Sequence, residues 1–196
     1  MRIENGEERL AVDDETKRRV EKFIDLLMEW NRVHNLTGAK TREAMEAQVE
    51  DSLYPLSFLP HAPKSLLDIG TGAGFPGLVL ACAWPETQTT LCEPLQKRAA
   101  FLRYAARELG LTKVTVEARR VEALTSRPFD LITSRAVTET KELIAWCRPF
   151  IGERTQMLFY KGERAPEEIA GLEACDIELI ARGKRNYLWI KDAKPC

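Results

Sequence analysis

Four glycines, Gly70, Gly72, Gly74 and Gly77, directly follow the apolar run Ser65-Leu66-Leu67-Asp68-Ile69. Their missing Cβ atoms let backbone N–H groups approach a ligand, and glycine supplies the positive φ that a reversing chain needs. The run reads as a buried strand entering a tight turn that opens a helix. In an open α/β sheet, nucleotide-like ligands bind at such carboxyl ends of strands, so a nucleotide-type cofactor site is expected here, with Asp68 facing the same crevice.

Further residues fall at the ends of later apolar runs. Glu93 lies about 20 residues beyond the glycines, where nucleotide-binding folds place a carboxylate on ribose hydroxyls; a solvated strand-end acid is the alternative. In Arg119-Arg120-Val121-Glu122, Val121 suits packing on an adenine ring and Glu122 its amino edge. A helix-capping Glu122 is equally compatible with the residues. Arg135, in Thr133-Ser134-Arg135-Ala136, suits a cofactor carboxylate or a substrate phosphate, or else a surface ion pair. Lys161-Gly162 places a flexible cation at the same sheet edge, suited to phosphate. Lys97, Arg98, Arg103, Arg107, Lys184 and Arg185 extend the basic footprint, although charged helix faces are usually only solvated. His34 and His61 have no nucleophile or metal partner in view, so hydrolase triads and His-rich metal sites are not supported. Trp30, Trp84, Trp146 and Trp189 read as core.

These residues need elements to hold them. Asp13 and Asp14 can cap a helix carrying Val20, Phe23, Ile24, Leu27, Trp30 and Asn31 on one face, broken at His34-Asn35-Leu36-Thr37-Gly38. A second helix starts near Thr41, with Met45, Val49, Leu53 and Leu56 on one face, and ends at Pro60 and Pro63. Residues 1–62 thus read as a helical N-terminal extension to a core domain over 63–196. From Ser65 onward strands and helices alternate, which argues a parallel sheet with helices on both faces. Strands are expected at Ser65–Ile69, Thr89–Cys92, Lys113–Glu117, Phe129–Thr133, Gln156–Tyr160, Ile177–Ile180 and Tyr187–Ile190. Helices are expected from about Leu95 to Leu109, stopped by Gly110, and from Pro166 to Glu173.

At 196 residues the chain is long enough for one domain with a substantial core. With 44% hydrophobic and 30% charged residues it has the composition of a soluble globular protein. No apolar run approaches the ~18 residues of a membrane span, and Met1-Arg2-Ile3-Glu4-Asn5 lacks a signal-peptide core. The five scattered cysteines, Cys82, Cys92, Cys147, Cys175 and Cys196, suggest reduced thiols in the cytoplasm and no zinc site. Net charge is −1, but residues 1–62 hold 9 Lys and Arg against 13 Asp and Glu, leaving 20 against 17 beyond. Basic patches must therefore be local.

Two cofactor classes compete for the glycine loop. Gly72, Gly74 and Gly77 satisfy the G-x-G-x-x-G spacing of a dinucleotide site. Gly70 and the lead-in Asp68-Ile69-Gly70-Thr71-Gly72 resemble instead motif I of the S-adenosyl-L-methionine-dependent methyltransferases, and Pro76 fits a pyrophosphate-binding helix start less comfortably. The Asn or Asp, Pro-Pro and aromatic run of exocyclic-amine methyltransferases is absent after the fourth strand. A Pro-Cys context for a C5-cytosine nucleophile is absent too.

Taken in order, several stretches together resemble the RsmG family, also called glucose-inhibited division protein B. They are Trp30-Asn31, Asn35-Leu36-Thr37, Asp51-Ser52, Gly70 to Gly77, Lys97-Arg98 before Phe101-Leu102, Arg120-Val121-Glu122, Phe129-Asp130, Ser134-Arg135-Ala136, Trp146-Cys147 and Lys161-Gly162. The resemblance runs from about residue 20 to the C-terminus. It implies a class I, Rossmann-like methyltransferase domain with a seven-stranded, mostly parallel sheet. It also implies an S-adenosyl-L-methionine-dependent, cytoplasmic enzyme that methylates N7 of one guanine in 16S, small-subunit ribosomal RNA. By the same resemblance Gly70, Phe75, Val121, Glu122 and Arg135 contact the cofactor. This joins Gly72, Gly74 and Glu93 from the residues themselves, and leaves Lys161, Arg185, Lys97 and Arg98 to the substrate. The chain departs from the family in carrying Ala47-Gln48 and Arg185-Asn186 where an Arg-His pair is common.

Guanine N7 carries an in-plane lone pair and needs no deprotonation, so no general base is required and no catalytic residue is assigned. The enzyme's task is in-line alignment, worth ~7–11 kcal/mol in favourable intramolecular reactions. The expected partner is small-subunit rRNA or a ribosomal particle, with no membrane and no metal, and the chain is expected to act as a monomer. The rival readings are a nicotinamide-dependent oxidoreductase and a non-catalytic RNA-binding assembly factor.

Overall fold

The computed structural model describes residues 12–170, 172 and 176–194. Helix α1 (Asp14–His34) starts where the Asp13 carboxylate accepts the Thr16 N–H at 2.7 Å, and ends at Asn35 in the left-handed region. Its buried stripe of Val20, Phe23, Ile24, Leu27 and Asn31 follows the helical period. Helix α2 (Arg42–Leu53) is capped by Thr41, which accepts the Ala44 N–H at 3.2 Å. It stops before Pro60 and Pro63, giving way to a 3-10 turn over Tyr54–Ser57. Pro55 has no N–H to return to Asp51, so the ladder fails there and the freed Asp51 carbonyl accepts from the Tyr187 hydroxyl at 3.2 Å.

Seven strands form one sheet among the described residues: β1 (Ser65–Ile69), β2 (Gln88–Cys92), β3 (Val114–Glu117), β4 (Leu131–Arg135), β5 (Gln156–Lys161), β6 (Asp176–Arg182) and β7 (Arg185–Asp192). Their order is β3-β2-β1-β4-β5-β7-β6. The first five are parallel, while β7 runs antiparallel to both β5 and β6. Helices α3 (Gly77–Ala83), α4 (Gln96–Glu108), α5 (Thr140–Cys147) and the short α6 (Ala165–Glu168) complete the fold. Successive β1 side chains point to opposite faces. Leu66 packs in one cluster with Leu80 of α3, and Leu67 and Ile69 pack in another with Leu143 and Ile144 of α5. This is the layered α/β architecture with a helical N-terminal segment that the sequence implies.

The chain leaves β1 toward β2 and β3 and later returns to β4 and β5 on the other side, so strand order reverses at the carboxyl end of β1. Helices α1 and α2 share one hydrophobic cluster with α3 and α4. Within it Phe23 meets Phe75 edge-on at 5.3 Å between ring centroids, so the first helix buttresses the loop after β1.

Three expectations shift. The fourth strand lies at Leu131–Arg135 rather than Phe129–Thr133, because Ser134 and Arg135 continue the ladder opposite Phe159 and Tyr160. Phe129 instead gives its N–H to the Phe150 carbonyl. Helix α5 had no counterpart in the sequence reading. The helix expected over Pro166–Glu173 is Ala165–Glu168, with Gly171 and Glu173 outside the described residues, as are Met1–Asn5, Cys175 and Cys196. No helix of the described residues is long and apolar enough to cross a membrane. Among those residues no group of three or more His, Cys, Asp or Glu is placed to hold a metal ion.

Candidate cofactor and substrate cleft

The β1 strand ends against β2. The Gly70 and Thr71 N–H groups both donate to the Cys92 carbonyl, at 2.9 and 3.2 Å, which turns the loop across the sheet edge. Two of its glycines do opposite things. At Gly72, with φ +61°, a Cβ would meet nothing closer than the Gly70 carbonyl at 4.0 Å, so open space lies before it. At Gly77 a Cβ would fall 2.5 Å from Asp68 Oδ2 and 2.6 Å from Leu91 Cδ2, so that position is glycine for helix-to-strand packing.

Asp68 does not face the crevice. It is fully buried, accepts the Gly77 N–H at 2.9 Å and the Thr133 hydroxyl at 2.7 Å, and so ties α3 and β4 to β1 from behind the loop. Burial pushes its carboxyl up to about 6, against those hydrogen bonds. The correction follows from the pleat: Asp68 has the parity of Leu66 and points toward α3.

Glu93 does face the crevice. It is 3% exposed, accepts the Gly72 N–H at 2.9 Å and the Leu95 N–H at 2.8 Å, and each carboxylate oxygen retains acceptor capacity. A cavity of about 400 Å³ opens in front of it, walled by the loop residues Gly70, Gly72 and Phe75, by Leu95 and Arg98, and by Arg135 and Val137 across from them. Thr37, Gly38 and Gln48 close its rim. The N-terminal segment reaches this rim because Asn31 pins the connection after α1, donating to the Ala39 carbonyl and accepting the Thr37 N–H, both at 2.9 Å. Arg98 adds a bond to the Leu36 carbonyl at 3.0 Å. A more enclosed apolar groove of about 230 Å³ between α1 and α2 shares no lining residue with the loop.

The other wall is ionic. Arg135 lies 5.0 Å above the Phe75 ring, donates to Gln48 Oε1 at 2.8 Å and stands 3.5 Å from Asp51. Burial lowers its pKa while the Asp51 carboxylate opposes that shift. Asp51 also accepts from Arg185 at 2.8 Å and from the Tyr187 hydroxyl at 2.9 Å, so one carboxylate joins α2 to β4 and β7. An open pocket of about 420 Å³, walled by Gln48, Asp51, Arg182, Lys184 and Arg185, adjoins the cleft through Gln48.

Residues 16–183 match the family model described as rRNA small subunit methyltransferase G. The curated relative from Wolinella succinogenes bearing the name ribosomal RNA small subunit methyltransferase G is 56% identical over 180 residues, covering 92% of each chain. The chain belongs to the rRNA small subunit methyltransferase G family. The relative of the same name from Campylobacter fetus is 40% identical, covering 90% of this chain and 94% of its own. A solved methyltransferase from Geobacter sulfurreducens superposes with a TM-score of 0.66 at 11% identity, covering 86% of this chain and 89% of that one, which shows the shared fold. The nicotinamide reading of the glycine spacing falls with this assignment.

Against this family background the site residues foreseen from sequence divide in two. Gly70, Gly72, Phe75, Glu93, Arg98 and Arg135 converge on the cleft. Gly74 lies beneath it, where a Cβ would touch Phe23 and Leu78 at 3.1 and 3.2 Å. Val121 packs into the core beside Phe129 and Glu122 is exposed on a 3-10 turn, neither of them lining the cavity. Lys97 is exposed outside it, and Arg185 is bound to Asp51. Lys161, expected to reach a phosphate, is only 7% exposed and bonded to Glu168 and the Thr138 carbonyl. Sequence reasoning missed Leu95, Val137 and Glu168, while Asp51 entered it only within a shared motif and Gln48 only as a departure from the family. Asp51 lies inside α2, and nothing in its neighbourhood along the chain signals ion pairs with residues of β4 and β7. Of the tryptophans, Trp189 is buried and Trp30, Trp84 and Trp146 are partly buried against the hydrophobic clusters.

Proposed function

We propose that this cleft holds S-adenosylmethionine along the glycine loop and that the protein transfers its methyl group to N7 of a guanine in small-subunit rRNA. The methyltransferase class, the donor and the rRNA substrate come with the family; the target atom and the division of the cleft are our reading. The observation that carries it is the open space before Gly72 facing the buried Glu93 carboxylate, with Arg135 at the far wall. A carboxylate with spare lone pairs suits vicinal ribose hydroxyls, and a guanidinium suits the carboxylate of an amino acid. S-adenosylmethionine supplies an electrophilic methyl group when bound. The residues have then to orient the base and exclude water, and the half-exposed Leu95 and exposed Val137 at the mouth supply apolar surface for that. No side chain has to accept a proton from N7, which agrees with a cleft whose one buried carboxylate is already engaged by backbone N–H groups.

Residues 1–62 we take as a helical extension that completes the cleft of the 63–196 domain through Thr37, Gly38 and Gln48. We place Val121 and Glu122 at the adenine end, as the resemblance implies, and the enzyme in the cytoplasm as a monomer. The test is methyl transfer from labelled S-adenosylmethionine to small-subunit rRNA and to intact particles, followed by nucleoside analysis. Label in 7-methylguanosine is expected; label in any other nucleoside overturns the N7 assignment. Calorimetry should show S-adenosylmethionine binding that raises the melting temperature by mass action, and sedimentation should report a single chain.

A further inference from the structure

Lys161 ends β5 with its ammonium 2.8 Å from Glu168 Oε2 and 2.9 Å from the Thr138 carbonyl oxygen. The same Glu168 oxygen accepts the Thr140 N–H at 3.1 Å and the Thr140 hydroxyl at 2.7 Å. One partly buried ion pair thus grips both ends of the 138–140 stretch. Immediately before it come Arg135, Ala136 and Val137, all three on the cleft wall. Ala136 has φ +54°, a conformation that a residue with a Cβ holds only where its surroundings enforce it. That turn puts Val137 at the cleft, 37% exposed, with its Cγ2 above Gly70 where a Cβ would approach to 2.5 Å.

We propose that Lys161 and Glu168 are positioning residues for methyl transfer, holding the Ala136–Thr138 turn so that Val137 forms the wall against which the target base is aligned. This rests on the methyltransferase reading above. Sheet order gives the direction: β2, which leads into Glu93, lies on one side of β1 and β4 on the other, so a nucleoside held by Glu93 leaves the reacting end toward β4. A wall fixed there limits the approaches open to the base. Misplacement by about 1 Å at a reacting centre can cost roughly 100-fold in rate. A lysine with its charge balanced by Glu168 and its ammonium spent on two acceptors has little left for an RNA phosphate.

Lys161→Met and Glu168→Gln in the full chain, with Val137 carrying 13C-labelled methyl groups, test this. For Lys161→Met the expected result is unchanged S-adenosylmethionine Kd, kcat lower by roughly 10- to 100-fold, shifted Val137 methyl resonances, and an unchanged salt dependence of RNA binding. A salt slope reduced by ~0.7–0.9, one phosphate contact, with Val137 resonances unmoved would overturn it. Should Lys161→Met fail to fold, Glu168→Gln decides. Lower kcat at unchanged RNA affinity supports the pair, whereas tighter RNA binding at unchanged kcat means that Lys161 was being withheld from a phosphate and overturns it. If the wild-type chain transfers no methyl group to rRNA while Val137 still responds to Lys161→Met, the pair stands as a clamp on the turn and the functional reading is what fails.

Discussion

On the β2 side of the cleft, carboxylates are held by backbone N–H groups and a hydroxyl: Glu93 by Gly72 and Leu95, and Asp68, behind the loop, by Gly77 and Thr133. On the β4 to β7 side they are held by cations, Asp51 by Arg135 and Arg185, Glu168 by Lys161. Two carboxyls show what this difference does. Burial raises Asp68 to about 6, outweighing its hydrogen bonds and the weaker pull of Arg135. Burial also acts to raise Glu168, but Lys161 and Thr140 outweigh it and its pKa falls. The first wall is set by backbone hydrogen bonds to its carboxyls; the second depends on keeping opposite charges together, largely out of water.

The largest expected effect is on the ionic wall. Asp51→Ala leaves Arg135, whose side chain is 14% exposed, without its counter-charge, and should cost roughly 3–5 kcal/mol of stability in urea unfolding. A loss under about 1 kcal/mol, the size of an exposed pair, would mean that Gln48 and the Phe75 face suffice to hold the guanidinium. The comparison would then collapse.

The next effect isolates the backbone-held wall through pH. In the unfolded chain Asp68 titrates near 3.8, in the folded protein near 6. Between these values the native state keeps a proton that the unfolded chain has released. The carboxyl's contribution is therefore fully present below about pH 4 and is lost as pH rises through about 6, amounting to about 3 kcal/mol at ~1.4 kcal/mol per pH unit. Wild type should lose about 2 kcal/mol of this relative to Asp68→Asn between pH 4 and 6.5, measured by denaturant midpoints. A constant difference between the two would mean that its hydrogen bonds and Arg135 fully offset burial at Asp68.

What was legible in the sequence follows the same division. The glycine loop, Glu93 after the second strand and the caps Asp13 and Thr41 are local patterns, set by φ, by hydrogen-bond donors a few residues away and by the strand period. Asp51 meets Arg135 and Arg185 across 84 and 134 residues, and no local pattern encodes that meeting. Lys161 shows the reverse failure. Its place at a strand's carboxyl end and the helix after Pro166 were readable, but no local pattern says that this helix, only four residues long, turns Glu168 back onto the lysine. The boundaries that moved, at α2 and β4, moved where Pro55 removed a donor and where sheet pairing overrode polar residues.

The smallest effect on stability should be the most telling for function, and it comes from paired alanines in the glycine loop. Gly77→Ala places a methyl 2.5 Å from Asp68 Oδ2 and 2.6 Å from Leu91 Cδ2, in packed surroundings, and should destabilise by ~1–3 kcal/mol through overpacking. Gly72→Ala meets no atom closer than the Gly70 carbonyl at 4.0 Å and bears only the strain of φ +61°, about 1 kcal/mol. Its methyl group, however, enters the space before Glu93 that the cofactor is to occupy. S-adenosylmethionine affinity, measured by calorimetry on folded protein, should fall by at least about ten-fold, equivalent to ~1.4 kcal/mol, while the melting temperature moves little. A Gly77→Ala protein that still folds should bind nearly as the wild type does. If Gly72→Ala kept full affinity, the open space before the loop would be solvent only, and the backbone-held wall would be a structural turn with no ligand to hold.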